Sequence, residues 1–206
     1  MAEIVVIAAH PHLEHSHVTR AMLHAAETAA AEHSGRIDLR PLYRRYPDYL
    51  IDIAAEQAAL RDARLVVWLH PIHWYSMPPL MKLWLDEVFA FGWAYGPGGE
   101  ALRGKDLWLV SSTGGSEDSY RPNGYNRYFF DHFLHPYEQS AALVGMRWLP
   151  PLTLHGAHRI GASALAEHAA VFAQRLASYP QWPELDDLEV EPDCAVPADA
   201  RPVEID

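Results

Sequence analysis

Residues 65–70 read Leu65-Val66-Val67-Trp68-Leu69-His70. They run on through Pro71-Ile72-His73-Trp74-Tyr75-Ser76-Met77-Pro78-Pro79 into Leu80-Met81-Lys82-Leu83-Trp84-Leu85-Asp86-Glu87-Val88-Phe89. The first piece is short and almost continuously apolar, as a strand buried on both faces of a parallel sheet must be. The last is an apolar-rich helix opened by Pro79, because proline suits a first turn that has no use for its missing N–H. The loop between them is bracketed by prolines and carries two large aromatic rings. Ligands of open α/β sheets bind just past the carboxyl ends of the strands, where this loop lies, and its two flat faces suit a planar ligand.

Working outward, residues 3–9 form a first buried strand running into His10-Pro11-His12-Leu13-Glu14-His15-Ser16-His17. Ser16 is the expected N-cap of a helix carrying Met22, Leu23 and Ala26 to about Ala31, and Gly35 ends it. A second, more alternating strand covers 37–42. Asp52 caps a short helix through Leu60 before the central strand at Leu65. Downstream, 91–104 reads as a Gly- and aromatic-rich loop, and 107–112 is a fourth strand emptying into Thr113-Gly114-Gly115-Ser116. Residues 129–143 are helical in pattern, with Tyr125, Tyr128, Phe129 and Phe130 expected to pack that helix. Residues 152–155 give a fifth strand, and Ser163 caps a last helix with Leu165, Phe172 and Leu176 on one face. This alternation predicts an α/β fold with a doubly wound, five-stranded parallel sheet and helices on both faces, one domain over 1–178. From Tyr179 to the end, five prolines and many acidic residues read as a solvated or loosely packed tail over 179–206.

Composition narrows the function. The 206 residues are 50% apolar, and no run reaches the roughly 18 residues of a membrane span. A net charge of −11 argues against nucleic acid or anionic lipid as a general partner. The single cysteine, Cys194, excludes an internal disulfide and suits a reducing compartment, and no charged leader precedes the first strand. Thirteen histidines raise the question of metal. The four in 10–17 lack the i, i+4 spacing of a helical zinc site and have no second cluster of carboxylates or cysteines, so no metal site is expected.

Parallel strands bring the loops after strands one, three and four to one edge. The first ends at a helix N-terminus, which favours a phosphate, and Ser16 and His17 add donors. Gly114-Gly115 lets backbone approach a flat ligand closely, with no Cβ in the way. No G-x-G-x-x-G and no G-x-x-x-x-G-K-[ST] follows the first strand, which disfavours a Rossmann dinucleotide seat and a nucleotide P-loop.

Four runs, namely Ala9-His10-Pro11 with Ser16-His17, 71–82, Gly92-Trp93-Ala94-Tyr95-Gly96 and Thr113-Gly114-Gly115-Ser116, resemble flavodoxin-fold NAD(P)H:quinone oxidoreductases. Trp74-Tyr75, Gly92-Trp93-Ala94-Tyr95-Gly96 and Trp148-Leu149-Pro150-Pro151 are closer still to the ancillary subunits of glutathione-regulated potassium-efflux systems, the KefF/KefG type. The resemblance spans roughly 3–178. It implies a cytoplasmic FMN-binding homodimer that takes hydride from NADH or NADPH and reduces a quinone or similar electrophile. It equally implies a regulatory ancillary subunit attached to a membrane potassium/proton antiporter, with reductase activity secondary. Carried over, His10, Ser16, His17, Val18 and Thr19 would hold the FMN phosphate and ribityl chain. Pro71, Ile72, His73, Trp74 and Tyr75 would flank the isoalloxazine, with Ser112, Thr113, Gly114 and Gly115 along its other edge. Trp93 and Tyr95 would help roof the partner subunit's site. Of the catalytic tyrosine and histidine of the quinone reductases, Tyr120 matches the first, but Asn126 stands in the histidine position.

Overall fold

Alternate residues of three inner strands feed two separate cores, which is what a doubly wound sheet requires. In the computed structural model, which describes residues 2–188, the strands are β1 (Ile4–Ala8), β2 (Ile37–Pro41), β3 (Leu65–Pro71), β4 (Asp106–Ser112) and β5 (Arg147–Leu154). All pair in parallel, in the order β2-β1-β3-β4-β5, so the chain reverses its direction of growth between β1 and β3. The helices are α1 (Val18–Glu32), α2 (Leu42–Arg45), α3 (Ile53–Asp62), α4 (Pro79–Val88), α5 (His135–Leu143) and α6 (Ala162–Ser178). Val5, Ile7, Val66, Trp68, Leu107 and Leu109 face α3, α4 and α5. Ile4, Val6, Leu65, Val67, Trp108 and Val110 face α1 and α6. Every residue of β1, β3 and β4 is buried, which is why these stretches read as unbroken apolar runs.

Local signals hold where they are chemical. The Ser16 hydroxyl accepts from the Thr19 N–H at 3.1 Å at the start of α1, although His17 is the residue flanking the helix. Asp52 accepts from the Ala55 N–H at 3.0 Å, and Pro79 opens α4. Other expectations need correction. Strand β2 stops at Pro41, and Leu42 begins α2. The helix expected over 129–143 is split: Phe130–Phe133 is a 3₁₀ turn and α5 starts only at His135, where Pro136 fits the first turn but not a helix interior. Tyr125, Tyr128 and Phe129 are exposed and do not pack it.

Strand β5 begins at Arg147, five residues before the expected 152. Its register on β4 slips between Trp108 and Val110, where Pro150 and Pro151 sit, and the Pro150 carbonyl accepts from Trp108 Nε1 at 3.1 Å. An edge strand with a bulge tolerates prolines that a central one cannot. Ser163 does not cap α6. Gly161 flanks the helix, and the Ser163 hydroxyl instead donates to Glu167.

The chain after α6 is not loose at its start: Tyr179, Trp182 and Leu185 are buried in the α1/α6 core. The Tyr179 hydroxyl donates to Asp106 at 2.8 Å. Arg147 donates to Asp106 through Nε and Nη2, and to the Leu185 carbonyl through Nη1. Residues 189–206 of the acidic tail lie outside the described residues.

One buried charge ties the α2–α4 side together. Glu56 of α3 is fully buried and accepts from Arg40 Nε and Nη2 at 2.8 Å each, from Trp84 Nε1 at 3.0 Å and from the Tyr46 hydroxyl. Burial alone would push its carboxyl pKa up, but hydrogen bonds from Arg40, Tyr46 and Trp84 outweigh it and the net shift is downward. Replacing one partner strands the others, so Glu56→Gln should cost about 3–5 kcal/mol. That loss, read in thermal unfolding, lowers the midpoint by about 10 °C or more.

His70, at the end of β3, is enclosed against Tyr137 of α5, the rings stacked at 5.7 Å and 19°. Its Nδ1 donates to the Pro71 carbonyl at 3.0 Å. Burial, aided by nearby His73, lowers its pKa from 6.5 to about 4. Between those pH values the unfolded chain takes up a proton that the folded chain refuses, so stability is full above about pH 6.5 and falls as the pH drops towards 4. Denaturant titrations over that range should show a loss on the order of 3 kcal/mol from this residue, and His70→Gln should flatten it.

Candidate functional site

Three backbone hydrogen bonds carry the sheet past its strands: Ala9 N–H to Leu69 O at 2.9 Å, Ile72 N–H to Ser112 O at 2.8 Å and Thr113 N–H to Leu154 O at 2.9 Å. The loops after β1, β3, β4 and β5 therefore leave at one level and enclose a cavity of about 770 Å³. Such a volume fits a cofactor-sized ligand. His10, Ser16, His17, Val18, Pro71, Ile72, His73, Trp74, Ser112, Thr113 and Gly114 all line it, as the sequence leads one to expect.

The remaining expected residues stand elsewhere. Thr19 is buried behind the first loop and lines a smaller cavity of about 300 Å³ with His12, Tyr43 and Arg44. Tyr75 turns away from the main cavity, stacking on Phe133 at 5.0 Å and donating its hydroxyl to Asn126 Oδ1 at 3.2 Å. Gly115 packs behind the third loop, where a Cβ would meet Ser119 Oγ at 2.6 Å and the Tyr125 hydroxyl at 2.7 Å. Tyr120 and Asn126 are buried in the same place. Trp93 and Tyr95 are half-buried against the α4/α5 core and do not reach the cavity.

The loop after β3 owes its shape to a two-residue turn. His73 N–H donates to Ser76 O at 2.8 Å, Ser76 N–H donates back to His73 O at 3.1 Å, and Trp74 and Tyr75 between them have φ of 49° and 64°. A turn with both central residues left-handed favours Gly or Asn. Two aromatic residues here carry a backbone cost of order 1–3 kcal/mol each, the kind of local strain found at ligand clamps. The Trp74 ring is 94% exposed at the cavity mouth.

Electrostatically the cavity is made of imidazoles. His10, His12, His15, His17, His73 and His158 line it, and no Lys, Arg, Asp or Glu is among the described residues that do. His10 lies edge-on to His73 at 5.8 Å, and its Nδ1 accepts from the His12 N–H at 3.0 Å, which leaves the ring proton on Nε2. Burial first, then His73 and His12, lower its pKa to about 4, and burial lowers that of His73 too. Both rings are thus neutral at pH 7 and offer directed donors instead of charge. With Ser16 and the N-terminal end of α1 they suit an anionic group held by dipoles. Among the described residues, no group of three or more His, Cys, Asp or Glu is arranged to hold a metal ion, and no helix is long and apolar enough to cross a membrane.

The fourth loop is the part that sequence reasoning missed. Gly156 N–H donates to Gly115 O and Ala157 N–H to Thr113 O, so 156–158 form a wall of the cavity. A Cβ on Gly114 would sit 2.9 Å from His158 Nε2, so glycine is what lets that imidazole close over the third loop. Applying the strand-end rule to β5 as well would have found it. Thr113, at the cavity wall, also meets His155 Nδ1 at 2.9 Å.

A family model described as flavodoxin-like fold matches residues 2–177. The chain is 44% identical over 176 residues to the glutathione-regulated potassium-efflux system ancillary protein KefF of Citrobacter koseri, covering 85% of this chain and 96% of that protein. Among solved structures, one described as a thermophilic tryptophan halogenase from Streptomycin violaceusniger superposes with a TM-score of 0.77 at 39% identity, covering 86% of this chain and 99% of that one. General stress protein 14 of Treponema denticola, solved in complex with FMN, gives 0.76 at 34%, covering 85% and 98%. An NADPH-quinone reductase from P. pentosaceus gives 0.72 at 26%, with the same coverage. With a parallel five-stranded sheet, helices on both faces and a family match over most of its length, the chain belongs to the flavodoxin-like fold family.

Proposed function

We propose that the chain is an FMN-dependent NAD(P)H:quinone oxidoreductase that works as a homodimer. The observation that carries this is the cavity of about 770 Å³ shared by the carboxyl ends of β1, β3, β4 and β5. It has an imidazole- and dipole-rich end at α1, an indole at its mouth and a side-chain-free wall at Gly114. Those features fit a phosphorylated tricycle. Ser16, His17 and Val18, with His10, would hold the phosphate and ribityl chain; Pro71, Ile72, His73 and Trp74 would flank the ring, and Ser112, Thr113 and Gly114 its other edge. Thr19, Tyr75 and Gly115 would act from behind, fixing the loops that bear those groups. When bound, FMN supplies two-electron chemistry, and the protein supplies position and electrostatics.

What the residues themselves do follows from their surroundings. Neutral His10 presents its Nε2 proton without the desolvation cost of a buried cation. The Trp74 turn holds a flat ligand against the strand ends, and organising reactants at contact distance recovers much of an entropic barrier. Tyr120, its ring 5.6 Å from His155, stands behind the third loop, where a proton can be held close to the cavity wall. Asn126 takes the place of a titratable group and instead fixes Tyr75 and Ser119. Trp93 and Tyr95 would meet the second subunit.

The likeness to the efflux-system ancillary protein favours a second, compatible reading. The chain would sit at the cytoplasmic face of the membrane against a potassium/proton antiporter, its reductase activity serving regulation. Co-purification with such a transporter, or potassium efflux changed upon deletion, supports it; the absence of both effects overturns it.

Purified protein should show flavin absorption, and should oxidise NADH or NADPH when a benzoquinone is supplied; a colourless preparation that binds no added FMN overturns the reading. Trp74→Gly separates cofactor wall from fold. Relief of the left-handed strain should leave the unfolding midpoint unchanged or higher, while loss of the indole weakens FMN binding about tenfold or more in a fluorescence titration.

A further inference from the structure

Reduction of a quinone by NAD(P)H does not balance on hydride alone. The nicotinamide gives up one C–H bond with its electron pair, and the quinone gains two electrons and two protons. Each turnover therefore draws one further proton, and some group near the cavity has to hold it. Asn126 has no proton to trade near neutral pH, and both ends of its amide are engaged: Oδ1 accepts from the Tyr75 hydroxyl, and Nδ2 donates to Ser119 Oγ at 3.0 Å.

The loop after β5 brings another group to this place. His155 is partly buried beside the third loop, its ring 5.6 Å from Tyr120 and 4.8 Å, edge-on, from Phe130. Its Nδ1 lies 2.9 Å from the hydroxyl of Thr113, a buried residue on the cavity wall. Two titratable side chains from different loops, His155 and Tyr120, thus meet beside this hydroxyl, and His155 bonds it directly. That hydroxyl has two possible directions for its own proton, the Gly115 carbonyl at 2.8 Å or His155 Nδ1.

We propose that His155 is the proton-holding group of this site and acts through Thr113. The inference rests on the oxidoreductase reading above. When the imidazole is protonated, Nδ1–H donates to Thr113 Oγ1 and the threonine donates onward to Gly115. When Nδ1 is bare, the threonine proton turns towards it. As a reduced quinone in the cavity takes the proton of Thr113 Oγ1, Oγ1 takes the one held on Nδ1. The threonine and His155 both end neutral, the hydroquinone keeps the proton, and solvent recharges the imidazole without any side chain changing place. His155 is a positioning residue, one hydroxyl removed from the reacting atoms. The groups facing it set its affinity for the proton: burial pulls the imidazole pKa down, while Glu117 and Asp131, from the two 3₁₀ turns that follow β4, pull it back up. An added negative charge in the cavity would raise it further.

The test combines histidine NMR titration with kinetics on the FMN-loaded protein, using His155→Gln and Thr113→Val. The His155 midpoint in wild-type protein should match a limb in the pH profile of quinone reduction, kcat falling as pH rises through it. Thr113→Val should move the His155 midpoint and the kinetic limb together, by about half a pH unit or more. His155→Gln should abolish the limb and lower kcat about a hundredfold while FMN stays bound, the usual worth of a positioned proton donor. A limb that survives His155→Gln, or a His155 titration indifferent to Thr113→Val, overturns the proposal. A preparation that takes up no FMN or turns over no quinone strikes the oxidoreductase reading instead. The Thr113→Val shift of the NMR titration then still decides whether the two side chains are coupled.

Discussion

Parallel pairing forces every strand of this sheet to end on the same side, and that constraint governs all that follows. Because hydrogen bonding continues one residue past β1, β3 and β4, the loops after those strands, and the one after β5, start from fixed, neighbouring points and not from frayed ends. The cavity is thus a by-product of sheet geometry, placed beside the point where the strand order turns from β1 towards β3. Loop composition then decides what that cavity is for. Histidines, small residues and one exposed indole give it directed donors and a flat wall, with no Lys, Arg, Asp or Glu among the described residues that line it.

The scaffold behind the cavity is held by a different force. Glu56 draws β2, α2, α3 and α4 onto a single carboxylate, and Trp84 is its α4 donor. Helix α4 starts at Pro79, which itself lines the cavity, and Tyr43 of α2 accepts from the Leu80 N–H at 3.3 Å. Satisfying one buried charge with four hydrogen bonds therefore also anchors the loop bearing Trp74 and Tyr75. A strained two-residue turn persists only when its surroundings over-determine it, and these contacts are those surroundings.

Much of this was legible in the sequence because it is local. The apolar run at Leu65, Pro79 at a helix start and Asp52 three residues before its bonded N–H all announce themselves within a few positions. Eleven expected site residues meet at one cavity because strand ends are predictable once strands are. What failed depends on distance. Nothing local pairs Arg40 with Glu56, Asp106 with Arg147 and Tyr179, or His155 with Thr113. The tail reading went wrong at Tyr179, Trp182 and Leu185 because proline and acid dominate the composition, while three well-spaced rings and aliphatics do the anchoring. Tyr75 shows the finer limit: the sequence places it at the loop tip, but only the left-handed backbone turns its ring towards Phe133 and Asn126.

The bulge at Pro150 and Pro151 has a consequence for how copies of this chain meet. Strand β5 is one of the sheet's two outer flanks, and it presents two successive positions without an N–H at a point where its register already slips. A ribbon from another molecule finds no continuous ladder to extend there, which guards the flank against edge-to-edge aggregation. Any stable pairing of subunits at this flank must accordingly be made through helices and loops.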